Sequence, residues 1–171
     1  VNGNQIGSAN SSLAYDLSAT ATNIGSQTAN YYHSGYLDDI RVTKGVARYT
    51  TNFTPPVAPL PIPVIDPNFG AVSLLLHMNG ANASTTFPDH SYNALAVTAN
   101  GNAQISTAQS KFGGASALFD GSGDYLTIPT PSNGLVSWFS SLNTVEMWVN
   151  VSTFTQATYS GSGVHKPIAI G

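Results

Sequence analysis

The side chains able to do chemistry in this chain are few, and their spacing limits what they can do. Eight acids occur among 171 residues, and only one of them, Glu146, is a glutamate. Retaining glycoside hydrolysis needs two carboxyl groups about 5–5.5 Å apart, one protonated and one nucleophilic. Asp38 and Asp39 are adjacent, so in a strand they point to opposite faces and cannot form that pair. Glu146 lies in Thr-Val-Glu-Met-Trp-Val, with no acid at either alternate position. Serines are plentiful and His33, His77, His90 and His165 are scattered, but no Gly-x-Ser-x-Gly elbow presents a nucleophile. The histidines read as loop or strand-surface residues, with His77 a packed histidine bonded through one nitrogen. Catalysis is not expected.

Two binding chemistries fit better. Asp120-Gly-Ser-Gly-Asp124 sets two acids in a glycine-rich turn, with Ser122 and backbone carbonyls between them. Calcium takes six to eight hard oxygens, usually including two or more carboxylates, so Asp120 and Asp124 are candidate calcium ligands. The alternative is that both carboxylates accept the N–H groups of their own turn. The aromatic pairs Tyr31–Tyr32 and Trp138–Phe139 lie in loop-like sequence and are candidates for glycan or partner contact. Aromatic clusters at a rim also mark interfaces between subunits. In Tyr36–Val42, alternation places Asp38 among Tyr36, Ile40 and Val42. A carboxylate on such a face must be bonded, because burying it unpaired is costly. Arg41, on the opposite face with Asp39, reads as a solvated ion pair.

The elements that position these groups are short strands. Apolar alternation over four to eight residues recurs between Gly, Asn and Ser, and no long 3.6-residue period appears. Hydrophobic residues make up 42% of the chain and charged residues 8%, with 10% aromatic. That composition suits a packed β-protein and not a disordered segment. A net charge of −3 with five basic residues gives no electrostatic case for nucleic acid or anionic membrane. No apolar run approaches the roughly 20 residues a membrane-spanning helix needs. With no cysteine there is neither a disulfide framework nor a thiolate metal site. Strands are expected near Thr22–Gly25, Gly35–Thr43, Ser73–Met78, Ala94–Thr98, Ala115–Asp120, Tyr125–Ile128, Thr144–Val151 and Pro167–Ile170. Val1–Gly7 reads as a hairpin arm and Val46–Tyr49 as one helical turn. Thr54–Asn68 holds six prolines and reads as a semi-rigid spacer.

Gly35–Pro56, GYLDDIRVTKGVARYTTNFTPP, resembles the closing segment of laminin-G-like (concanavalin A-like lectin/glucanase) jelly rolls of the kind common in phage tail and virion proteins. SLLLHMNGANASTTFPD, KFGGASALFDGSGDYLTI and TVEMWV, all downstream of the prolines, resemble the opening half of the same fold. The halves therefore stand in reverse order: 1–56 a closing half, 57–70 a linker and 71–171 an opening half. Either the chain is a window on a tandem array, or it is a circular permutation whose halves close one sandwich. The start at Val1 and the stop after Ile168–Gly171 read as a piece of something longer or as processed material.

The resemblance implies an all-β antiparallel jelly-roll sandwich, with Asp38 tying loop N–H groups at one end, a role in folding and not in ligand binding. The core is expected to include Ile40, Val42, Leu74, Leu76, Phe119, Leu126, Ile128, Val145, Met147 and Val149. It implies that calcium, where present, sits at a rim. The Glu-x-Asp-x-Glu strand of the glucanase branch is missing. Two functions follow as expectations. One is a non-catalytic structural or assembly module of a virion tail, fibre or other extracellular filament, its partners copies of itself or other subunits. The other is a lectin-like adhesion module for cell-surface polysaccharide, with or without calcium. Nucleic acid and membrane insertion are not expected, and the setting is a virion or the extracellular space.

Overall fold

Alternating segments between glycine and asparagine turns become strands in the computed structural model, which describes residues 21–28, 31–61, 66–129, 143–151 and 168–169. In chain order these are β1 (Ala21–Ile24), β2 (Ser26–Thr28), β3 (Tyr31–Tyr32), β4 (Ser34–Lys44), β5 (Val72–Leu76), β6 (Thr98–Asn100), β7 (Gln104–Ser106), β8 (Ser116–Asp120), β9 (Tyr125–Pro129), β10 (Asn143–Val151) and β11 (Ile168–Ala169). A single 3-10 turn, Phe69–Ala71, precedes β5. One sheet runs β11-β1-β9-β6. The other runs β10-β4-β8-β7, with β5 also paired to β4, and β2 and β3 form a small ribbon. The pairings are antiparallel, and the molecule is an all-β sandwich. Strands from both sides of the proline-rich stretch share each sheet: β1 bonds to β9, and β4 bonds to β5, β8 and β10.

The core lies between the sheets. Ile24, Leu126 and Ile128 from one meet Leu37, Ile40, Val42, Leu74, Leu76, Ile105 and Phe119 from the other. Full burial of each such side chain contributes about 1.5–3 kcal/mol. Val145 and Val149, expected in this core, are 36% and 40% exposed. They sit on β10, the end strand of its sheet among the described residues, and of that strand only Met147 packs partly against the cluster.

β4 is the longest strand and carries the feature that places the site. Trp148 of β10 pairs with Asp38 and Glu146 with Arg41, so two β4 residues, Asp39 and Ile40, stand opposite one residue of β10. Asp39 takes φ 51, the left-handed region, as the extra residue of a β-bulge. The bulge lets Leu37 and Ile40, three residues apart, both face the core. Simple alternation would put Asp38 on the Ile40 face; the bulge puts it on the outer face instead. Near the start of the strand, Gly35 has φ +141, and a Cβ there would overlap the Asn150 carbonyl of β10.

The proline-rich stretch packs down on the sheet. Leu75, which points away from the core between Leu74 and Leu76, joins Leu60, Phe69 and Val72 in a second buried cluster on the outer face. Leu60 N–H donates to Asp39 Oδ2 at 2.6 Å. β5 is thus buried on both faces, which explains why three successive leucines, Leu74, Leu75 and Leu76, are all buried. Residues 46–49 do not form the expected helical turn. Arg48 N–H donates to Thr144 Oγ1 at 2.8 Å, and the Thr144 hydroxyl donates to the Val46 carbonyl at 2.9 Å, which holds this backbone extended along β10. Residues 94–97, expected as strand, follow a turn closed by Ala94 N–H to the Ser91 carbonyl and form no strand, and β6 begins only at Thr98.

Candidate functional site

Asp38 stands where β4 changes neighbours. Residues 34–37 pair with β8 and residues 40–43 with β5, leaving a gap in the ladder between them. The 107–115 loop enters that gap. Asp38 Oδ2 accepts N–H bonds from Lys111 at 2.7 Å and Phe112 at 2.9 Å. The misplaced acid therefore ties loop amides, as the sequence led us to expect. Its other oxygen, Oδ1, is buried and has no hydrogen-bond partner in the protein. Burial pushes the Asp38 carboxyl above its ordinary pKa, against the pull of the Phe112 and Lys111 amides.

Because Trp148 is in register with Asp38, and Asn150 with Tyr36, these four side chains share the outer face. Phe112 meets the Trp148 ring edge to face at 5.8 Å, and the Lys111 ammonium lies 4.5 Å from the centre of the indole. Tyr36, Asp38, Lys111, Trp148 and Asn150 wall a cavity of about 190 Å³, completed by Gln109, Ser110, Ser116 and Val149. The arrangement offers an aromatic surface, a cation held by that aromatic and several neutral polar groups. Such a set of convergent polar groups around an aromatic is what orients a small ligand.

The same outer face holds a buried ion network further along β4. Arg41, only 3% exposed, donates to Glu146 through Nε at 2.8 Å and Nη2 at 2.5 Å, and its Nη1 lies 3.4 Å from Asp66. Arg48 grips both Asp66 oxygens at 3.1 and 2.7 Å and donates to Thr43 Oγ1. The Tyr49 hydroxyl donates to the second Glu146 oxygen. Arg41 is thus no solvated partner of Asp39, because the bulge separates the two residues and the spacer covers them. Burial raises the Asp66 pKa, but Arg48, the Asn68 amide and Arg41 outweigh it and hold the carboxyl below the usual range. Burial, with the Glu146 hydrogen bond and charge, pushes Tyr49 up to about 12. Asp39 binds the spacer amide through one oxygen and His77 Nδ1 through the other at 2.7 Å. His77 is the packed histidine that its strand sequence suggested.

At the rim, each oxygen of the Asp120–Asp124 turn accepts an internal N–H. Asp120 takes Ser122 N at 2.7 Å and Asn102 Nδ2 at 3.0 Å; Asp124 takes Asn102 N at 2.7 Å and Asp120 N at 2.9 Å. Among the described residues no group of three or more His, Asp or Glu side chains could hold a metal. Tyr31 and Tyr32 form β3 and not a loop, and Tyr32 stacks on Tyr125 at 6.4 Å. Trp138 and Phe139 lie outside the described residues. Tyr32, Asp120 and Asp124 do not line the cavity. Trp148, which does line it, was not singled out. The available signal was alternation in TVEMWVN, which sets an aromatic beside Glu146 and Asn150 on the outward face. No family model, curated protein or solved structure matches the chain.

Proposed function

We propose that this chain is a non-catalytic β-sandwich binding module whose outer-face cavity takes a glycan, in a laminin-G-like jelly roll of a virion or extracellular protein. The observation that carries the reading is the cavity walled by Trp148, where Tyr36, Gln109, Ser110 and Asn150 add polar groups around the indole. A sugar supplies hydroxyls for those polar groups and a C–H face for the indole. Glu146 has both oxygens engaged by Arg41 and Tyr49, which is the position of a structural acid. The test is a glycan-array screen followed by titration calorimetry on the wild type and Trp148→Ala. Binding that Trp148→Ala abolishes supports the reading, and a silent array refutes it. Running both with and without calcium assigns the Asp120–Asp124 turn a role only if calcium changes the result.

A second reading, an assembly module of a tail, fibre or filament that contacts its own copies, is favoured by one observation. Among the described residues β10 ends its sheet, with Val145 and Val149 36% and 40% exposed, as a strand awaiting a neighbour would be. Light scattering separates the two: a 17.8 kDa particle fits the binding module, and ladders or filaments fit assembly.

A further inference from the structure

We infer that His77 and His90 form a binding site for a divalent transition cation of the zinc, nickel and copper class, just past the end of β5. Neither residue lines the Trp148 cavity. Their rings lie 4.9 Å apart, centre to centre, and are tilted by 52°. An imidazole nitrogen binds such an ion at about 2.0–2.1 Å, which sets two rings that share one ion roughly 5 Å apart. Backbone bonds hold the pair together. His77 directly follows β5, and both backbone groups of Leu75 in that strand bond to the 89–90 segment. The Leu75 N–H donates to Asp89 Oδ1 at 2.9 Å, and the His90 N–H donates to the Leu75 carbonyl at 2.8 Å.

A carboxylate behind His77 sets the state of its ring. Asp39 is 1% exposed; its Oδ1 lies 2.7 Å from His77 Nδ1, and its Oδ2 accepts the Leu60 N–H at 2.6 Å. A carboxylate accepts, so the His77 proton sits on Nδ1 and the lone pair on Nε2. Carboxylate–histidine pairs of this kind orient metal-binding imidazoles and raise their basicity. His77 Nε2 has no hydrogen-bond partner among the described residues, and neither ring nitrogen of His90 has one. His90 is exposed and the His77 side chain keeps 13% of its surface open, so an ion reaches the pair from solvent. Among the described residues no third His, Asp or Glu joins them, and water fills the remaining positions. Two neutral nitrogens select zinc, nickel or copper over calcium and magnesium, which want oxygen.

The experiment titrates zinc(II), nickel(II) and copper(II), with calcium as the control ion, into the full chain carrying no histidine tag. Calorimetry is run on the wild type, His90→Ala and His165→Ala, each first checked by thermal melting. His90→Ala removes an exposed ring and keeps the amide that bonds Leu75. The wild type should take up one transition ion per chain, copper the tightest of the three, and no calcium. His90→Ala should weaken that binding by about tenfold or more, on the scale of losing a metal-site partner, and His165→Ala should leave it unchanged. Substoichiometric copper should broaden the ring signals of His77 and His90 together in the proton spectrum. That readout does not depend on any variant. If none of the three ions binds at millimolar concentration, if His90→Ala binds like the wild type, or if copper broadens neither ring or only one of the two, the inference is overturned.

Discussion

Replacing Leu60 with alanine distinguishes a spacer that is part of the fold from one that merely connects. Leu60 is 3% exposed and packs with Phe69, Val72 and Leu75 on the outer face of β5. Its amide is anchored on Asp39, so the backbone cannot easily follow the shortened side chain. Leu→Ala in a main core costs about 2–5 kcal/mol, and a four-residue satellite cluster belongs near the lower end, about 2–3 kcal/mol. For a chain of 171 residues each kcal/mol moves Tm by about 2–4 °C, which predicts a fall of about 4–12 °C. Val57→Ala serves as the control in the same stretch, since Val57 is 90% exposed and its loss should stay within about 0.5 kcal/mol. The assay is a calorimetric melt of both variants beside the wild type. If Leu60→Ala melts with the wild type, the spacer is not docked on the sheet, and the reasoning about the outer face fails.

Three further outcomes follow from the same contacts. The folded-state pKa of Asp66 is depressed, so its contribution is present above the ordinary carboxylate range near 4 and is lost as pH falls through the folded value. Asp66→Asn should therefore cost about 3 kcal/mol in urea melts at pH 7, a penalty that shrinks toward pH 3; a pH-independent penalty would contradict the network. Tyr49 should ionise near 12 in an absorbance titration read against Tyr49→Phe, and Glu146→Gln should bring that midpoint down toward 10. An unmoved midpoint would show that Glu146 does not hold the phenol. At Gly101, φ is +68 and a Cβ would overlap Asp124 Oδ1 and come 2.6 Å from the Gly123 carbonyl. Gly101→Ala should cost about 1–3 kcal/mol by loosening the rim turn, and a neutral result in chemical denaturation would refute that packing.

Much of the sandwich was legible because its strands obey simple alternation. Leu74 and Leu76, Leu126 and Ile128, and Phe119 all face the core as their spacing implies. Asp38 was legible for a related reason: an acid in an apolar strand has to be bonded, and the Lys111 and Phe112 amides bond it. The failures share a cause, since a bulge and a covering segment leave no periodic trace. Asp39 at φ 51 breaks the alternation of β4, so the fate of Arg41 could not be read from its neighbours. Prolines advertise an extended backbone but not the surface it lies on, so the burial of Leu60 and Asp66 was hidden. Val145 and Val149 have core spacing, yet strand position within the sheet decides burial, and that is a non-local property. Trp148 became visible as a site residue only when its register with Asp38 was known.

Amide and indole chemical-shift mapping tests the central claim most directly. A glycan identified by the array screen is titrated into isotopically labelled protein, and the perturbed signals are placed on the sheet. The account predicts shifts at the Lys111 and Phe112 amides that Asp38 holds, at Asn150 and at the Trp148 indole N–H, with little change at Tyr32 and Tyr125 on the other sheet's side. Shifts gathered around Tyr32 and Tyr125 or the Asp120–Asp124 turn, with the Trp148 indole unmoved, would contradict it.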